Sequence, residues 1–264
     1  MNDYPAPVPF PTPLHQAAAA VVVDFFRQQP QTDTVLLVNS CARGKATPES
    51  DLDVAVLVAE RVGPGDLEAL SARWQAFSGE HPLIADYKRS HRFAQVHLDV
   101  IDGVYAPALW DDGGGPDDFE VALGNHLRYS LPLGEAGPHF KALQSRWLPY
   151  YGEPLRAQRL DMVRRACAYD LDHVPFFVRR KLYFQAFDRL YKAFREFLQA
   201  LFIRHRCYPV AYNKWVREQV EEILQLPDLY PMLPEILSVG SLESDALNGK
   251  ATILQRLLDE YAGA

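Results

Sequence analysis

The spacing of apolar and polar positions changes along the chain, and each change marks a different kind of element. After a proline-rich start (Pro5, Pro7, Pro9, Pro11, Pro13) that reads as an extended arm, residues 14–29 have helical composition and stop at Pro30. Residues 34–38 and 52–58 are short apolar runs rich in branched side chains, parted by a polar loop with Pro48. They fit buried strands that pair in one sheet. Residues 64–77 return to helical spacing through Leu67, Leu70, Trp74 and Phe77, and residues 93–101 read as another strand. Past Ile101 the pattern fades into a loop, where the triple glycine within 111–118 favours a mobile turn able to border a site. From Phe119 onward the periodicity is helical over 119–128, 139–147, 155–173, 179–206, 210–225 and 244–261. The chain therefore predicts an α/β plus all-α organisation: a mixed domain over 1–150 and a helical bundle over 151–264. The boundary falls at the Tyr150 to Pro154 interruption. No internal repeat occurs.

With 264 residues, 48% of them hydrophobic, the chain has enough apolar material for two cores. The formal net charge is −7, which disfavours extended nucleic-acid binding, because phosphate neutralisation needs clustered Lys and Arg. Small neutral or cationic substrates suit it better. Cys41, Cys167 and Cys207 form no CxxC pair and have no zinc-like His spacing, so a reducing, cytoplasmic setting without disulfide is expected. The start lacks a basic leader region, and no run approaches the roughly 20 apolar residues of a membrane span. No membrane partner is expected.

The chemistry concentrates in residues 35–58, VLLVNSCARGKATPESDLDVAVLV. Residues two apart on a strand share a face, so Asp51 and Asp53 project together while Leu52 and Val54 enter the core. Two carboxylates side by side repel unless a cation sits between them, and magnesium is a hard cation that seeks oxygen ligands. Asp99, in VHLDVI, alternates with Val96, Leu98 and Val100. If its strand neighbours the second one, three carboxylates converge. Ser40 begins a short turn after the first strand, where backbone N–H groups and a hydroxyl suit a triphosphate.

The run Asn39-Ser40-Cys41-Ala42-Arg43-Gly44 with Ser50-Asp51-Leu52-Asp53 resembles the signature of the DNA polymerase beta superfamily of nucleotidyltransferases, in which an apolar strand leads to Gly-Ser and then to Ser-Asp-apolar-Asp. The resemblance implies a catalytic N-terminal nucleotidyltransferase domain with a mixed β-sheet flanked by helices. It implies that Ser40 contacts the triphosphate, that Asp51 and Asp53 bind Mg2+, and that Asp99 completes the metal and catalytic set. Asn39 stands where the family has glycine, and asparagine enters left-handed backbone more readily than most residues. The helical second half is similar in outline to antibiotic nucleotidyltransferases of the aminoglycoside and lincosamide type, whose helical domain closes over the nucleotide and shapes the acceptor pocket. Lys181, Tyr183, Lys214 and Trp215 are candidates for that lining.

Each residue also has a plainer reading. Asp99 fits an edge strand with one solvated face, and Arg43 serves either as a phosphate contact or as a partner for Glu49. Lys214 is either a triphosphate contact or a solvated lysine. The aromatics of 181–202 read as core, and Cys41, with no base partner, reads as a small turn residue. The general base is Asp99, Glu196 or Asp188. The expected activity is magnesium-dependent transfer of an adenylyl group from ATP to a hydroxyl of a small-molecule acceptor. The alternative is a non-catalytic, antitoxin-like partner protein on the same fold.

Overall fold

Thr12 opens the first helix: its hydroxyl accepts the His15 N–H at 3.3 Å, and Pro13 takes the first helical position, where no N–H is needed. In the computed structural model, which describes residues 10–107 and 115–263, this helix is α1 (Pro13–Arg27). There follow β1 (Thr32–Leu37), the single turn α2 (Asn39–Ala42), β2 (Leu52–Val58), α3 (Pro64–Glu80), α4 (Pro82–Ser90) and β3 (Val96–Ile101). Then come α5 (Phe119–Leu123), a π-helical turn at Gly124–Arg128, β4 (Leu131–Pro132) and α6 (Pro138–Trp147). The remainder is α7 (Glu153–Arg179), α8 (Tyr183–His205), α9 (Val216–Glu218), a second π-helical turn at Gln219–Ile223, α10 (Met232–Leu237) and α11 (Ala246–Tyr261). The proline arm up to residue 9 and residues 111–114 of the glycine loop lie outside the described residues.

The chain divides into two units: Met1–Tyr105 with Ala122–Pro149, and Ala106–Val121 with Tyr150–Ala264. In the first unit the strand order is β3-β2-β1-β4, with β1 antiparallel to β2 and β4, and β2 parallel to β3. A parallel neighbour cannot be reached by a hairpin, and α3 and α4 make the crossover. β2 is central, and Asp53 is the one position in it that is not buried. Val22, Phe26, Leu37, Val56 and Trp74 belong to the core between sheet and helices, with the Phe26 and Trp74 rings 5.6 Å apart. The sequence reading leaves residues 78–92 unassigned, and α4 lies there, beginning at Pro82. The proline occupies the first turn of a new helix, whose Ile84 and Tyr87 are buried three residues apart.

β1 is locked to α6 by side chains that replace missing helical bonds. Asp33 accepts the His139 N–H at 2.9 Å and the Phe140 N–H at 3.0 Å, while Thr34 Oγ1 accepts the Gly137 N–H at 2.9 Å. A Cβ at Gly137 would overlap the Asp33 carboxylate. Gly137→Ala is expected to lose this cap and strain the contact, costing about 2–3 kcal/mol in urea unfolding. A loss below about 0.5 kcal/mol would show that the carboxylate moves aside freely.

In the second unit α7, α8 and α11 enclose a core that includes Val174, Phe197, Leu201 and Leu254. The expected end of α7 at His173 is overrun: Pro175 sits inside the helix, which continues because Val174, Phe177 and Val178 are buried. Arg159, 2% exposed, donates to Asp117 at 2.6 and 2.8 Å and to Glu120 at 2.7 and 2.9 Å, and Gln199 bonds both acids. These bonds account for residues before Val121 falling in the second unit, where the sequence suggested one break near 150. The helix expected over 210–225 begins only at Val216. Buried Gln219 satisfies the preceding loop instead, accepting from Val210 N–H at 2.6 Å and donating to the carbonyls of Ala211 and Lys214 at 2.8 and 2.9 Å. Of the expected core aromatics, Phe194, Phe197 and Phe202 are buried, whereas Phe184 is 76% exposed. No helix among the described residues is long and apolar enough to cross a membrane.

Candidate active site

β1 ends at Leu37 and the chain reverses through Val38 and Asn39 into α2. Asn39 has φ 55°, the left-handed conformation that glycine usually supplies and that asparagine among side-chain-bearing residues tolerates best. The residue type at this position is therefore compatible with the turn. Ser40 follows, half-buried, and its carbonyl accepts the Lys45 N–H at 2.9 Å. Arg43 closes the turn, its N–H bonding the Asn39 carbonyl at 3.3 Å.

Two bonds tie this turn to the acidic strand. Val38 N–H donates to the Asp53 carbonyl at 3.1 Å, and the Cys41 thiol lies 3.7 Å from the Asp51 carbonyl. Cys41 is fully buried, and burial, reinforced by the charges of Asp53 and Asp51, pushes its thiol up to about 12. It stays protonated at neutral pH and is no nucleophile. Burial, then the neighbouring Cys41 and the charges of Asp51 and Asp53, raise the Tyr87 hydroxyl as well.

β3 does neighbour β2, yet the expected convergence of Asp51, Asp53 and Asp99 is not formed. Among the described residues no group of three or more His, Cys, Asp or Glu side chains stands close enough to hold a metal ion. The register explains this: His97 lies opposite Asp53, and Asp99 lies two pairs further along, opposite Ala55. Asp51 pairs with His97, Nε2 to Oδ2 at 3.3 Å, both half-exposed. Asp99 is exposed and acts on His126 of the π-helical turn: burial lowers the imidazole, and Asp99 pulls it the other way. Tyr105 Oη lies 3.3 Å from His126 Nδ1.

Sequence reasoning saw His97 only as a polar neighbour of Asp99, because alternation fixes a face and not a register. His126 carried no signal. Of the other candidates, Lys214 belongs to the second unit and is exposed in a loop, not on a helix. Asp188 is exposed and pairs with Lys192 at 2.9 Å. Glu196 is 1% exposed within the helical core, so the expectation that it could serve as a base for an acceptor is corrected.

No curated protein matches the chain. Residues 21–105, which hold β1, the Ser40 turn, Asp51, Asp53 of β2 and Asp99 of β3, match the family described as Nucleotidyltransferase domain, and nucleotidyl transfer is the general reaction this match supports.

Proposed function

We propose that the chain is a magnesium-dependent nucleotidyltransferase that moves an adenylyl group from ATP to a hydroxyl of a small-molecule acceptor and releases pyrophosphate. The observation that carries this reading is the bond from Val38 N–H to the Asp53 carbonyl, 3.1 Å, which sets the Ser40 turn beside the carboxylate pair. Asp51 and Asp53 are the residues that would hold magnesium. Magnesium is usually held by one or two carboxylates together with substrate phosphates and water, so two carboxylates suffice and a third protein ligand is not required. When bound, the ion neutralises triphosphate oxygens and eases departure of pyrophosphate.

The residues of the chain do the rest. The first N–H groups of α2 have no intrahelical acceptor and, with the Ser40 hydroxyl, bind the triphosphate. Asp99 is exposed on the face that carries Asp53 and accepts the proton of the acceptor hydroxyl as its oxygen attacks the α-phosphorus. The bond from that phosphorus to the pyrophosphate oxygen breaks. The net charge of −7 favours a cationic acceptor of the aminoglycoside kind, and the preference for adenine rests on the resemblance to antibiotic nucleotidyltransferases. Asn39, with φ 55°, adopts the backbone conformation that the turn of the enzyme reading needs.

The test is ATP binding and acceptor-dependent pyrophosphate release, each with magnesium and with chelator. Binding that needs magnesium, and pyrophosphate that appears only with an acceptor, are the expected results. Binding indifferent to magnesium, with no turnover of any triphosphate, would reject the enzyme and restore the partner-protein reading.

A further inference from the structure

The carbonyl of Ser50, one residue before Asp51, accepts hydrogen bonds from side chains on two different helices. His15 Nε2 on α1 donates at 2.9 Å and the Tyr87 hydroxyl on α4 donates at 3.2 Å. Both donors are interior: His15 is 1% exposed and Tyr87 is 0% exposed. A buried polar side chain carries a desolvation cost that only its hydrogen bonds offset, and here two such side chains spend a bond on one oxygen.

The histidine tautomer follows from the partners. A carbonyl can only accept, so Nε2 carries a proton, and in the neutral ring Nδ1 accepts from the Thr12 hydroxyl at 2.7 Å. Thr12 also caps α1 through the His15 N–H at 3.3 Å, so one residue both starts the helix and fixes the ring. The His15 and Tyr87 rings meet edge to face with centroids 5.0 Å apart, and His91 stacks on His15 at 6.3 Å.

Because the peptide unit is planar, holding the Ser50 carbonyl holds the Ser50–Asp51 plane and the direction in which the chain enters Asp51. Beyond Asp51, Leu52 N–H bonds the Gln95 carbonyl at 2.9 Å and anchors β2 to the chain entering β3. The loop itself is already closed by Thr47 N–H on Ser50 Oγ at 2.9 Å and by Ser50 N–H on the Thr47 carbonyl at 2.9 Å. Closing the loop therefore does not call for His15 and Tyr87. What they add is orientation of the peptide next to the carboxylate pair.

We propose that His15 and Tyr87 are positioning residues which, through the Ser50 carbonyl, hold the Asp51–Asp53 pair in the geometry that magnesium and a triphosphate require. This rests on the nucleotidyltransferase reading above. Neither residue touches substrate. Misplacement of a catalytic group by a fraction of an ångström to one ångström weakens a site far more than it weakens a fold.

Three variants of the full chain test the proposal. Tyr87→Phe removes one donor, His15→Asn withdraws the amide from the Nε2 position, and His15→Gln returns an amide donor close to it. The readouts are amide hydrogen exchange of residues 45–53 without nucleotide and the magnesium concentration that half-saturates ATP binding. Tyr87→Phe and His15→Asn are expected to speed exchange in that segment and raise the magnesium requirement roughly tenfold, as loss of one buried hydrogen bond implies, with exchange in α7 and α8 unchanged. His15→Gln is expected to stay within about threefold of wild type. An unaltered magnesium requirement in both Tyr87→Phe and His15→Asn, when the wild type shows magnesium-dependent binding, overturns the positioning role and leaves the enzyme reading standing. His15→Gln as impaired as His15→Asn indicates packing alone and also overturns it. A wild type that binds ATP without regard to magnesium removes the enzyme reading and the positioning role with it.

Discussion

Replacement of Asp51 and Asp53 together by asparagine is expected to lower nucleotidyl transfer by at least roughly a thousandfold, the scale on which metal and charge stabilisation act in phosphoryl transfer. The thermal midpoint should hold or rise. Both side chains sit where the strand meets solvent: Asp53 is half-buried in an otherwise buried β2, and the Asp51 side chain is 40% exposed. Their charges reach the Cys41 thiol and the Tyr87 hydroxyl together, which places them as like charges acting on one small volume. Without a cation that arrangement costs free energy, so the amides relieve repulsion while removing the metal's ligands. Pyrophosphate release and thermal melts on the same samples decide it. A folded double variant that retains more than about a tenth of the wild-type rate would remove Asp51 and Asp53 from the mechanism.

Glu196→Gln is expected to stabilise the protein in a pH-dependent way, by several kcal/mol near pH 8 and hardly at all near pH 4.5. The Glu196 carboxyl is 1% exposed, and neither oxygen has a hydrogen-bond partner among the described residues. Burial first, and the neighbouring Asp170 second, push it up to about 8 from an ordinary value of 4.5. The folded state therefore keeps a proton that the unfolded chain gives up. Between pH 4.5 and pH 8 the folded state binds more protons, so stability falls as pH rises through that window. Below it both states are protonated and nothing is lost; above it the loss is complete. Glutamine keeps the volume and has no proton to release, so its curve lacks this slope. Urea unfolding of both proteins at pH 5, 6, 7 and 8 measures the difference. Parallel curves would show that Glu196 is hydrated or paired in solution.

What could be read from the sequence follows from the range of the forces involved. β1, β2 and the Asp51–Asp53 pair were legible because a buried central strand needs a run of branched apolar residues, and the polar interruption at Asp53 stands out against it. α4 was missed because Pro82 serves equally to end one helix and to begin another, and only packing of Ile84 and Tyr87 decides. β4, the pair Leu131–Pro132, is too short to show any period. The pairing of His97 with Asp51 depends on register between strands separated by two helices, which no local pattern encodes. The clamp on Ser50 brings residues 35 and 37 positions away onto one oxygen, and His15 alone reads as an ordinary residue of an amphipathic helix. Lys214 was placed on a helix by periodicity, but buried Gln219 outcompetes the helical bonds there.

Asp117 and Glu120 belong with Arg159, although the chain between Val121 and Tyr150 belongs elsewhere. Neither unit is thus a single length of polypeptide. A gene fragment beginning at residue 150 would send Arg159 into the helical interior without its two acids, and the complementary fragment would carry those acids with no arginine to meet them. Recombination that exchanges helical units must take Ala106–Val121 along or supply a new counter-charge. A crossover that looks silent at Tyr150 would part Arg159 from the acids at 117 and 120, which lie on the other side of the junction.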